Sequence, residues 1–234
     1  MSQDSSLSAS STLTATPFPA DEILHFAYGP TMSPTTMQSH CPSAVPVSLA
    51  YLPGWRWIIN SRGVANIVRL LPSAFETYLR ESASGGGGSG SEAGSDREVL
   101  RGEDGVYGVL YLLPEREEGA LDVCEGVEEG IGSVGKAVLE VEMAARTPGF
   151  VSEEEGMEVE EEAVRVQVVR ALVYVDGESV EEGRPGREYV ERLNRGIAGA
   201  VGDWGMPGWY VDGVLRRFVP GEEEHEDEGV GMEE

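Results

Sequence analysis

The sequence predicts an α+β protein, a small mixed β-barrel or curled sheet with appended helices. Apolar runs rich in Val, Ile, Leu and Tyr, which are typical of strands, predominate in the middle of the chain. Two patterns of apolar residues at helical spacing follow near the C-terminus. Strands at the centre of a chain with helices added after them are typical of this class.

The elements are predicted in chain order from apolar runs and turn residues. Pro53-Gly54 predicts a turn that pairs the strands on either side of it, and residues 32–43 are predicted to form an irregular loop. Pro114 ends the clearest strand and fits the first turn of a helix from Glu115 to Glu125. The predicted strands are Ile23–Tyr28, Val47–Tyr51, Trp55–Ile59, Val106–Leu113, Lys136–Met143 and Val164–Val175, with Val64–Leu71 a further apolar run.

Two C-terminal helices are predicted from apolar residues that share one face. The first carries Tyr189, Leu193 and Ile197 on that face. The second begins near Met206-Pro207 and carries Val211, Leu215 and Phe218.

The composition predicts one domain with polar appendages. Hydrophobic residues make up 40% of 234 residues, enough for one core. We expect a disordered polar arm (1–20), a single domain (21–220) that contains a flexible Gly/Ser insertion (84–95) and an acidic insertion (151–162), and a disordered acidic tail (221–234). Residues 153–162 and 221–234 hold fifteen acids and no Lys or Arg, so much of the net charge of −25 lies outside the predicted core.

These bulk properties exclude several classes of protein. A nucleic-acid groove needs a clustered basic surface, and the nearest candidate is the pair Arg216-Arg217. No apolar run approaches the ~20 residues that span a bilayer. Cys41 and Cys124 are too few for a disulfide scaffold, and the N-terminus has no signal-peptide pattern, so we expect a cytoplasmic protein. Binding of a basic protein to the tail, and a homodimer, are left open.

A glycine-rich run from Gly130 to Ala137 matches the first seven positions of a phosphate-binding loop. Its last position is Ala137, which has no hydroxyl for Mg²⁺, and the run follows a predicted helix and leads into a predicted strand. The context therefore lacks the helix N-terminus that binds phosphate, and a glycine turn is the better interpretation.

Metal and thiol chemistry also lack support in the sequence. The three histidines, His25, His40 and His225, are scattered without ligand spacing, so no metal site and no cofactor is predicted. Cys124 is predicted to be a small core residue on the face of its helix opposite Glu125, and the acid beside it is expected to raise the pKa of the thiol.

Glu125 stands in an unusual electrostatic position. It is the last residue of a predicted helix, directly before Gly126, where the helix dipole favours a cation. A carboxylate there is expected to have a raised proton affinity. Far upstream, the predicted strand that begins the domain stops at Gly29-Pro30, a place where backbone N–H groups are often free for a ligand.

Four short motifs occur in order between residues 23 and 218. They are Phe26-Ala27-Tyr28-Gly29; Gly63-Val-Ala-Asn-Ile67; Val106-Tyr-Gly-Val-Leu-Tyr111 leading into Leu121-Asp-x-x-Glu125-Gly126; and Arg184-Pro-x-x-x-Tyr189 followed by Gly205-Met-Pro-x-x-Tyr210. Together they resemble the γ-glutamylcyclotransferase family. The resemblance implies a γ-glutamylcyclotransferase-like fold and an enzyme that converts a small γ-glutamyl-amino acid to 5-oxoproline and a free amino acid, without a cofactor.

The resemblance also implies the site residues. Glu125 matches the catalytic glutamate, which serves as general acid and base. The implied substrate-binding residues are His25, Phe26, Ala27, Tyr28, Gly29, Pro30 and Tyr189.

The motifs depart from the family pattern at two places. The usual Tyr-Gly-Ser-Asn is Tyr28-Gly29-Pro30-Thr31, in which Pro30 has no N–H to donate. Lys136 replaces the aromatic residue that usually opens the strand after the catalytic helix. A cyclotransferase that acts on glutathione or on γ-glutamylamines, or a non-catalytic binding module with the same fold, therefore stays open.

Overall fold

The computed structural model describes residues 21–70, 105–127, 133–146 and 164–221. They form a closed five-stranded barrel, a small two-stranded sheet and surrounding helices, which confirms the predicted α+β class. The strands are β1 (Glu22–Ala27), β2 (Val45–Pro53), β3 (Trp55–Ile59), β4 (Ala65–Arg69), β5 (Gly105–Pro114), β6 (Val134–Arg146) and β7 (Val164–Asp176). The helices are α1 (Pro34–His40), α2 (Glu118–Glu125), α3 (Arg187–Gly202) and α4 (Gly208–Tyr210), which continues as a π-helical turn, Val211–Leu215.

The barrel strands are arranged in the order β1-β5-β2-β6-β7. Neighbouring strands are antiparallel except at the closure, where β7 and β1 run parallel and His25 lies opposite Leu172. Because β5 lies between β1 and β2 and is covered on its outer face, eight of its ten residues are buried. That position explains why its sequence is a nearly continuous apolar run without alternation.

The second and third strands do not pair with each other, so the predicted hairpin at Pro53-Gly54 is wrong. Pro53 ends β2 and Trp55 begins β3, and the single residue between them, Gly54, has φ of +76°. Hairpin connections usually need at least about two residues, and one left-handed glycine redirects the chain instead. As a result β2 pairs with β5 and β6, whereas β3 pairs with β4 in the separate sheet.

Residues 32–43 are not an irregular loop. A 3₁₀ turn spans Pro30–Met32, and α1 follows at once with Pro34 in its first turn. Proline is well suited to that position because the first turn needs no N–H donor. The side chains of Met32 and Met37 are buried in the core, so tertiary packing stabilises a helix whose polar sequence has little helical pattern of its own.

The remaining predicted elements occur close to their expected bounds. A 3₁₀ turn, Glu115–Glu117, separates Pro114 from α2, so the predicted helix is shorter than expected. Of the three residues predicted to share one face of α3, Leu193 and Ile197 are buried and Tyr189 is half-buried. The predicted arm (1–20), the Gly/Ser insertion (84–95), the acidic insertion (151–162) and the tail from residue 222 onward lie outside the described residues.

The described helices include none that is both long and apolar enough to cross a membrane.

Candidate active site

The loop after β1 is held in place by contacts with four other elements, β3, β5, β7 and α3. The indole N–H of Trp57 donates to the carbonyl of Tyr28 at 2.9 Å, and the hydroxyl of Tyr111 donates to the carbonyl of Met32 at 2.9 Å. The hydroxyl of Tyr28 donates in turn to the carbonyl of Tyr174 on β7. On the remaining side, α3 packs so closely that a Cβ at Gly196 would lie 3.1 Å from the carbonyl oxygen of Gly29. These contacts fix the loop before any ligand binds.

Two backbone donors of this loop are available. Within the part of the chain that the structure describes, the N–H groups of Gly29 and Thr31 donate no hydrogen bond to another backbone group. Pro30 between them has no N–H. The 3₁₀ turn uses the following donors, since the N–H of Met32 bonds the carbonyl of Gly29 and that of Ser33 bonds the carbonyl of Pro30.

Glu125 approaches this loop from the end of α2. It is the last helical residue, and Gly126 after it has φ of +80°, a left-handed conformation that ends the helix and favours glycine. The hydroxyl of Thr31 donates to Oε1 of Glu125 at 3.3 Å. The α2 terminus and the β1 loop are thus in direct contact, although their residues are far apart in the sequence.

Burial raises the pKa of Glu125 from 4.5 to about 7, and the Thr31 hydrogen bond opposes this shift. The direction agrees with the raised proton affinity that the sequence predicts. The cause differs, however, because removal of the carboxylate from water is the largest contribution rather than the end of the helix. A carboxyl group with such a pKa can both accept and release a proton near neutrality.

Two cavities meet at Glu125. The larger has a volume of about 250 Å³ and the smaller about 40 Å³. Both are lined by Tyr28, Pro30, Thr31, Ala65, Glu125, Tyr174 and Tyr189. The smaller cavity lies along the β1 loop, and the larger one extends from it towards α1, β3, β4 and β7.

All eight residues that the sequence singles out line this pair of cavities. Tyr28, Pro30, Glu125 and Tyr189 line both, whereas His25, Phe26, Ala27 and Gly29 line only the smaller one. Phe26 and Ala27 also belong to the hydrophobic core. The structure therefore brings the predicted residues together, and whether each contacts a substrate stays a prediction.

His25 is buried and neutral. One ring nitrogen, Nδ1, lies 3.0 Å from the carbonyl oxygen of Leu172, and burial lowers the pKa of the ring to about 4 despite that hydrogen bond. The other nitrogen, Nε2, has no hydrogen-bond partner among the described residues. With Nδ1 as the donor to Leu172, Nε2 is an acceptor at the edge of the smaller cavity.

Tyr189 joins α3 to the second sheet. Its hydroxyl oxygen accepts a hydrogen bond of 2.8 Å from the N–H of Ala65, the first residue of β4. A Cβ at Gly29 would lie 3.6 Å from the same oxygen, so the hydroxyl faces the β1 loop. Burial raises the pKa of this phenol, which therefore stays protonated at neutral pH.

A polar cluster that the sequence did not reveal also lines the larger cavity. The carboxylate of Asp176, at the end of β7, accepts hydrogen bonds from the N–H groups of Glu178 and Ser179 and an ion pair of 3.2 Å from Arg62. The amide of Asn66 bonds the backbone of Asp176 in both directions, at 2.9 and 3.0 Å. Polar residues at strand ends were the available signal, but only the tertiary fold brings them to one wall.

Cys124 does not have the position predicted for it. It lines the larger cavity beside Glu125 instead of packing in the core on the opposite face. Burial and the neighbouring Glu125 raise the pKa of its thiol to about 12, so it is not a thiolate near neutrality. The other cysteine, Cys41, is buried in the core.

Lys136 lies outside the site. Its ammonium group pairs with Glu118 and Asp122, each at 2.9 Å, on the outer surface between β6 and α2, and it lines neither cavity. Among the described residues, no group of three or more His, Cys, Asp or Glu side chains could hold a metal ion.

Comparison with known proteins gives a fold-level result. No protein-family model matches the sequence, and no curated protein matches it significantly. A solved structure of a γ-glutamyl cyclotransferase matches with a TM-score of 0.54 and 17% identity, over 86% of this chain and 90% of that chain. An uncharacterised protein from Homo sapiens matches with a TM-score of 0.53 and 17% identity, over 92% and 95% of the two chains.

In both comparisons the matched region covers most of this chain and most of the solved structure. The similarity therefore extends over the fold and is not confined to a fragment. At this identity the likeness concerns the fold. It agrees with the closed mixed barrel, the small second sheet and the helices described above. The chain therefore has the γ-glutamylcyclotransferase-like fold.

Proposed function

We propose that this protein is a γ-glutamylcyclotransferase that converts γ-glutamyl-amino acids to 5-oxoproline and a free amino acid. The observation that carries the proposal is the position of Glu125. Its side chain contacts the β1 loop directly, lines the same cavity as that loop and has a pKa of about 7. The likeness to a γ-glutamyl cyclotransferase structure supports the fold on which this reading depends.

The reaction is an intramolecular aminolysis. The α-nitrogen of the substrate attacks its own γ-carbonyl carbon, a C–N bond closes the five-membered ring, and the amide C–N bond breaks. The α-ammonium loses two protons to become the lactam N–H, and the leaving nitrogen gains two to become an ammonium, so protons balance. Because both reactants belong to one molecule, a correct orientation can lower the barrier by ~7–11 kcal/mol.

Glu125 is suited to move these protons. In its ionised form it takes a proton from the α-nitrogen, and the acid so formed gives that proton to the leaving nitrogen. Because two protons must move, this transfer occurs twice, once for the α-ammonium and once for the ring nitrogen after the C–N bond has formed. A pKa near neutrality keeps both forms accessible, and such proton transfer contributes ~10²–10⁴-fold to the rate. The hydroxyl of Thr31 holds one carboxylate oxygen and leaves the other for the substrate.

The β1 loop supplies donors for the substrate's negative charge. The N–H groups of Gly29 and Thr31 are free of backbone partners among the described residues and lie in the loop that lines both cavities. Backbone donors held in this way stabilise a carboxylate or an oxyanion without having to reorganise. Pro30 removes one donor relative to the family's pattern, so we expect the two remaining groups to carry this role.

The test is the formation of 5-oxoproline from γ-glutamyl-alanine by the full chain and by Glu125→Gln. We expect turnover by the wild type and a loss of about 10²–10⁴-fold in kcat for the variant. Glu115→Gln is the matched control, because Glu115 is an exposed acid that precedes α2 and lines neither cavity.

Equal turnover by the wild type and Glu125→Gln would contradict the role of Glu125. Binding of γ-glutamyl-alanine without any 5-oxoproline would contradict the enzyme and favour a non-catalytic binding module. The same assay with glutathione and with γ-glutamyl-ethylamine distinguishes the other possible donors.

A further inference from the structure

Arg192 is a cationic side chain on the wall of the larger cavity, and no carboxylate of the described residues pairs with it. It lies on α3, one turn after Tyr189, and its guanidinium carbon is 5.4 Å from the centre of the Tyr189 ring. Among the described residues, no carboxylate oxygen lies within ion-pair distance of it. The contact with the Tyr189 ring holds an exposed guanidinium beside the cavity, and its N–H groups donate no hydrogen bond to any residue that the structure describes.

The other arginine of the cavity is already engaged. Arg62 forms an ion pair of 3.2 Å with the buried carboxylate of Asp176 and a hydrogen bond to Ser133. Its charge is therefore balanced within the protein. Of the remaining charged groups, Glu125 is partly protonated near neutrality, so Arg192 supplies the unbalanced positive charge of this cavity.

The surrounding charge makes such a cation significant. The chain carries a net charge of −25, which disfavours the approach of an anionic ligand. A guanidinium at the cavity is a local exception to that field. It is also the side chain best suited to bind a planar carboxylate through two parallel hydrogen bonds.

The position of Tyr189 connects this cation to the proposed reaction. Tyr189 lines both cavities and faces the β1 loop, whereas Arg192 lines only the larger one. With the γ-glutamyl group in the smaller cavity, at the loop and Glu125, the adjoining larger cavity is the space that its leaving amine would occupy. In a γ-glutamyl-α-amino acid, that amine carries a carboxylate two bonds from the scissile nitrogen.

We infer that Arg192 binds the carboxylate of the leaving amino acid and selects γ-glutamyl-α-amino acids over γ-glutamylamines. The inference rests on the proposed function and names its substrate class.

The experiment compares γ-glutamyl-alanine with γ-glutamyl-ethylamine, which differs from it only by lacking that carboxylate. For each substrate, kcat/KM is measured with the wild type, Arg192→Gln and Arg192→Lys, and the ratio of the two values is the readout. Any change that Arg192→Gln causes in the protonation of Glu125 affects both substrates and cancels in this ratio. Arg195→Gln is the matched control, since Arg195 is an exposed arginine of α3 that does not line the cavity.

We expect the wild type to prefer γ-glutamyl-alanine, and Arg192→Gln to reduce the ratio about tenfold or more through KM. Arg192→Lys keeps the charge but loses the planar fork, so it should retain part of the preference. Arg195→Gln should keep the wild-type ratio. An equal wild-type rate with the two substrates, or a ratio that Arg192→Gln leaves unchanged, would overturn the inference.

A binding measurement separates this inference from the proposed function. The dissociation constants of both compounds are measured by calorimetry with Glu125→Gln, which leaves the substrates intact, and with the Glu125→Gln, Arg192→Gln double variant. Tighter binding of γ-glutamyl-alanine that is lost with Arg192 supports the inference whether or not turnover occurs. Binding of both compounds with equal affinity overturns it, whereas a wild type that forms no 5-oxoproline from any donor contradicts only the enzymatic function.

Discussion

The hydroxyl of Thr31 donates a hydrogen bond of 3.3 Å to Oε1 of Glu125. This contact joins the loop after β1 to the last residue of α2, and it is the direct link between the candidate substrate loop and the candidate catalytic acid. Because the hydroxyl stabilises the ionised carboxylate, it opposes the effect of burial on the pKa of Glu125. Thr31 thus has a defined electrostatic effect that substitution can test.

Thr31→Val should shift the pH dependence of the proposed reaction. Valine keeps the shape of threonine but cannot donate, so the pKa of Glu125 should rise above its wild-type value of about 7. The ionised base is required, so the wild-type kcat/KM should increase with pH through about 7, and this rise should move to higher pH in the variant. The measurement is kcat/KM for γ-glutamyl-alanine across the range; an unchanged profile in Thr31→Val would contradict the contact.

Glu125→Gln should stabilise the protein at alkaline pH while it removes activity. The folded protein holds the Glu125 proton up to a pKa of about 7, against 4.5 for an unperturbed glutamate. Between these values the folded state binds more protons than the unfolded state, so the free energy of unfolding decreases as pH rises. At ~1.4 kcal/mol per pKa unit the wild type loses at most about 3.5 kcal/mol in this way.

Glutamine does not titrate, so the variant should be more stable than the wild type at about pH 8, with an advantage that disappears near pH 4.5. Urea unfolding at several pH values measures this difference. A constant difference between the two proteins at every pH would mean that Glu125 is not held in a desolvated state.

Gly196→Ala should disturb the β1 loop through α3. A Cβ at Gly196 would lie 3.1 Å from the carbonyl oxygen of Gly29 and 3.3 Å from that of Pro30, which is too close unless the loop or the helix moves. We expect a higher KM. Replacing glycine by alanine normally adds ~0.5–1 kcal/mol to the stability of a helix, and we expect the close contact to cancel this gain in the free energy of unfolding.

Gly199→Ala is the control for this substitution on the same helix. Its Cβ would meet its nearest neighbour, Cδ of Pro34, at an ordinary 3.8 Å, so the alanine should stabilise α3 by ~0.5–1 kcal/mol and leave KM unchanged. The two variants are compared by thermal unfolding and by steady-state kinetics. The same KM in both would show that the close approach of α3 does not position the loop.

Tyr189→Phe should affect both stability and substrate binding. Loss of the hydroxyl leaves the part-buried N–H of Ala65 without its acceptor, at a cost of about 1–2 kcal/mol in the free energy of unfolding. If the hydroxyl also contacts the γ-glutamyl group, KM should rise several-fold in addition. Urea unfolding and KM measurements separate the two effects, and a loss of stability with an unaltered KM would reduce Tyr189 to a structural residue.

Much of the fold, and Glu125 at the centre of the site, can be predicted from residues that are close together in the sequence. The apolar run of β5 and the helical spacing of apolar residues in α3 are both visible in short stretches of sequence. In the structure the two elements lie close to their predicted bounds. Glu125 followed by Gly126 is likewise a local signal, because glycine is suited to the left-handed residue that ends a helix. Such features depend on neighbours in the chain and are therefore visible without the tertiary structure.

Other features depend on contacts between distant residues, and sequence patterns misjudged them. The sequence places Cys124 in the core, whereas in the structure it lines the cavity. The prediction fails because the neighbours of a residue do not determine which face of a two-turn helix packs inward. The failure of β2 to pair with β3 has a similar origin, since the barrel offers β2 two other partners. Arg62 and Asp176 are 114 residues apart, so only the folded chain reveals their ion pair.

The sequence by itself determined the α+β class, the strand that leads into the Tyr28-Gly29 loop and the acid at the end of α2, because each is specified by short-range propensity and spacing. The tertiary structure alone decided what surrounds that acid. Closure of the barrel and packing of α3 place the half-buried Glu125 beside Thr31, Tyr189 and a cavity that Arg192 also lines. Desolvation depends on every element packed around the carboxyl group, and it is the largest cause of the shift in the Glu125 pKa. The position of Glu125 at a helix end is local and visible in the sequence, whereas its burial depends on the tertiary structure.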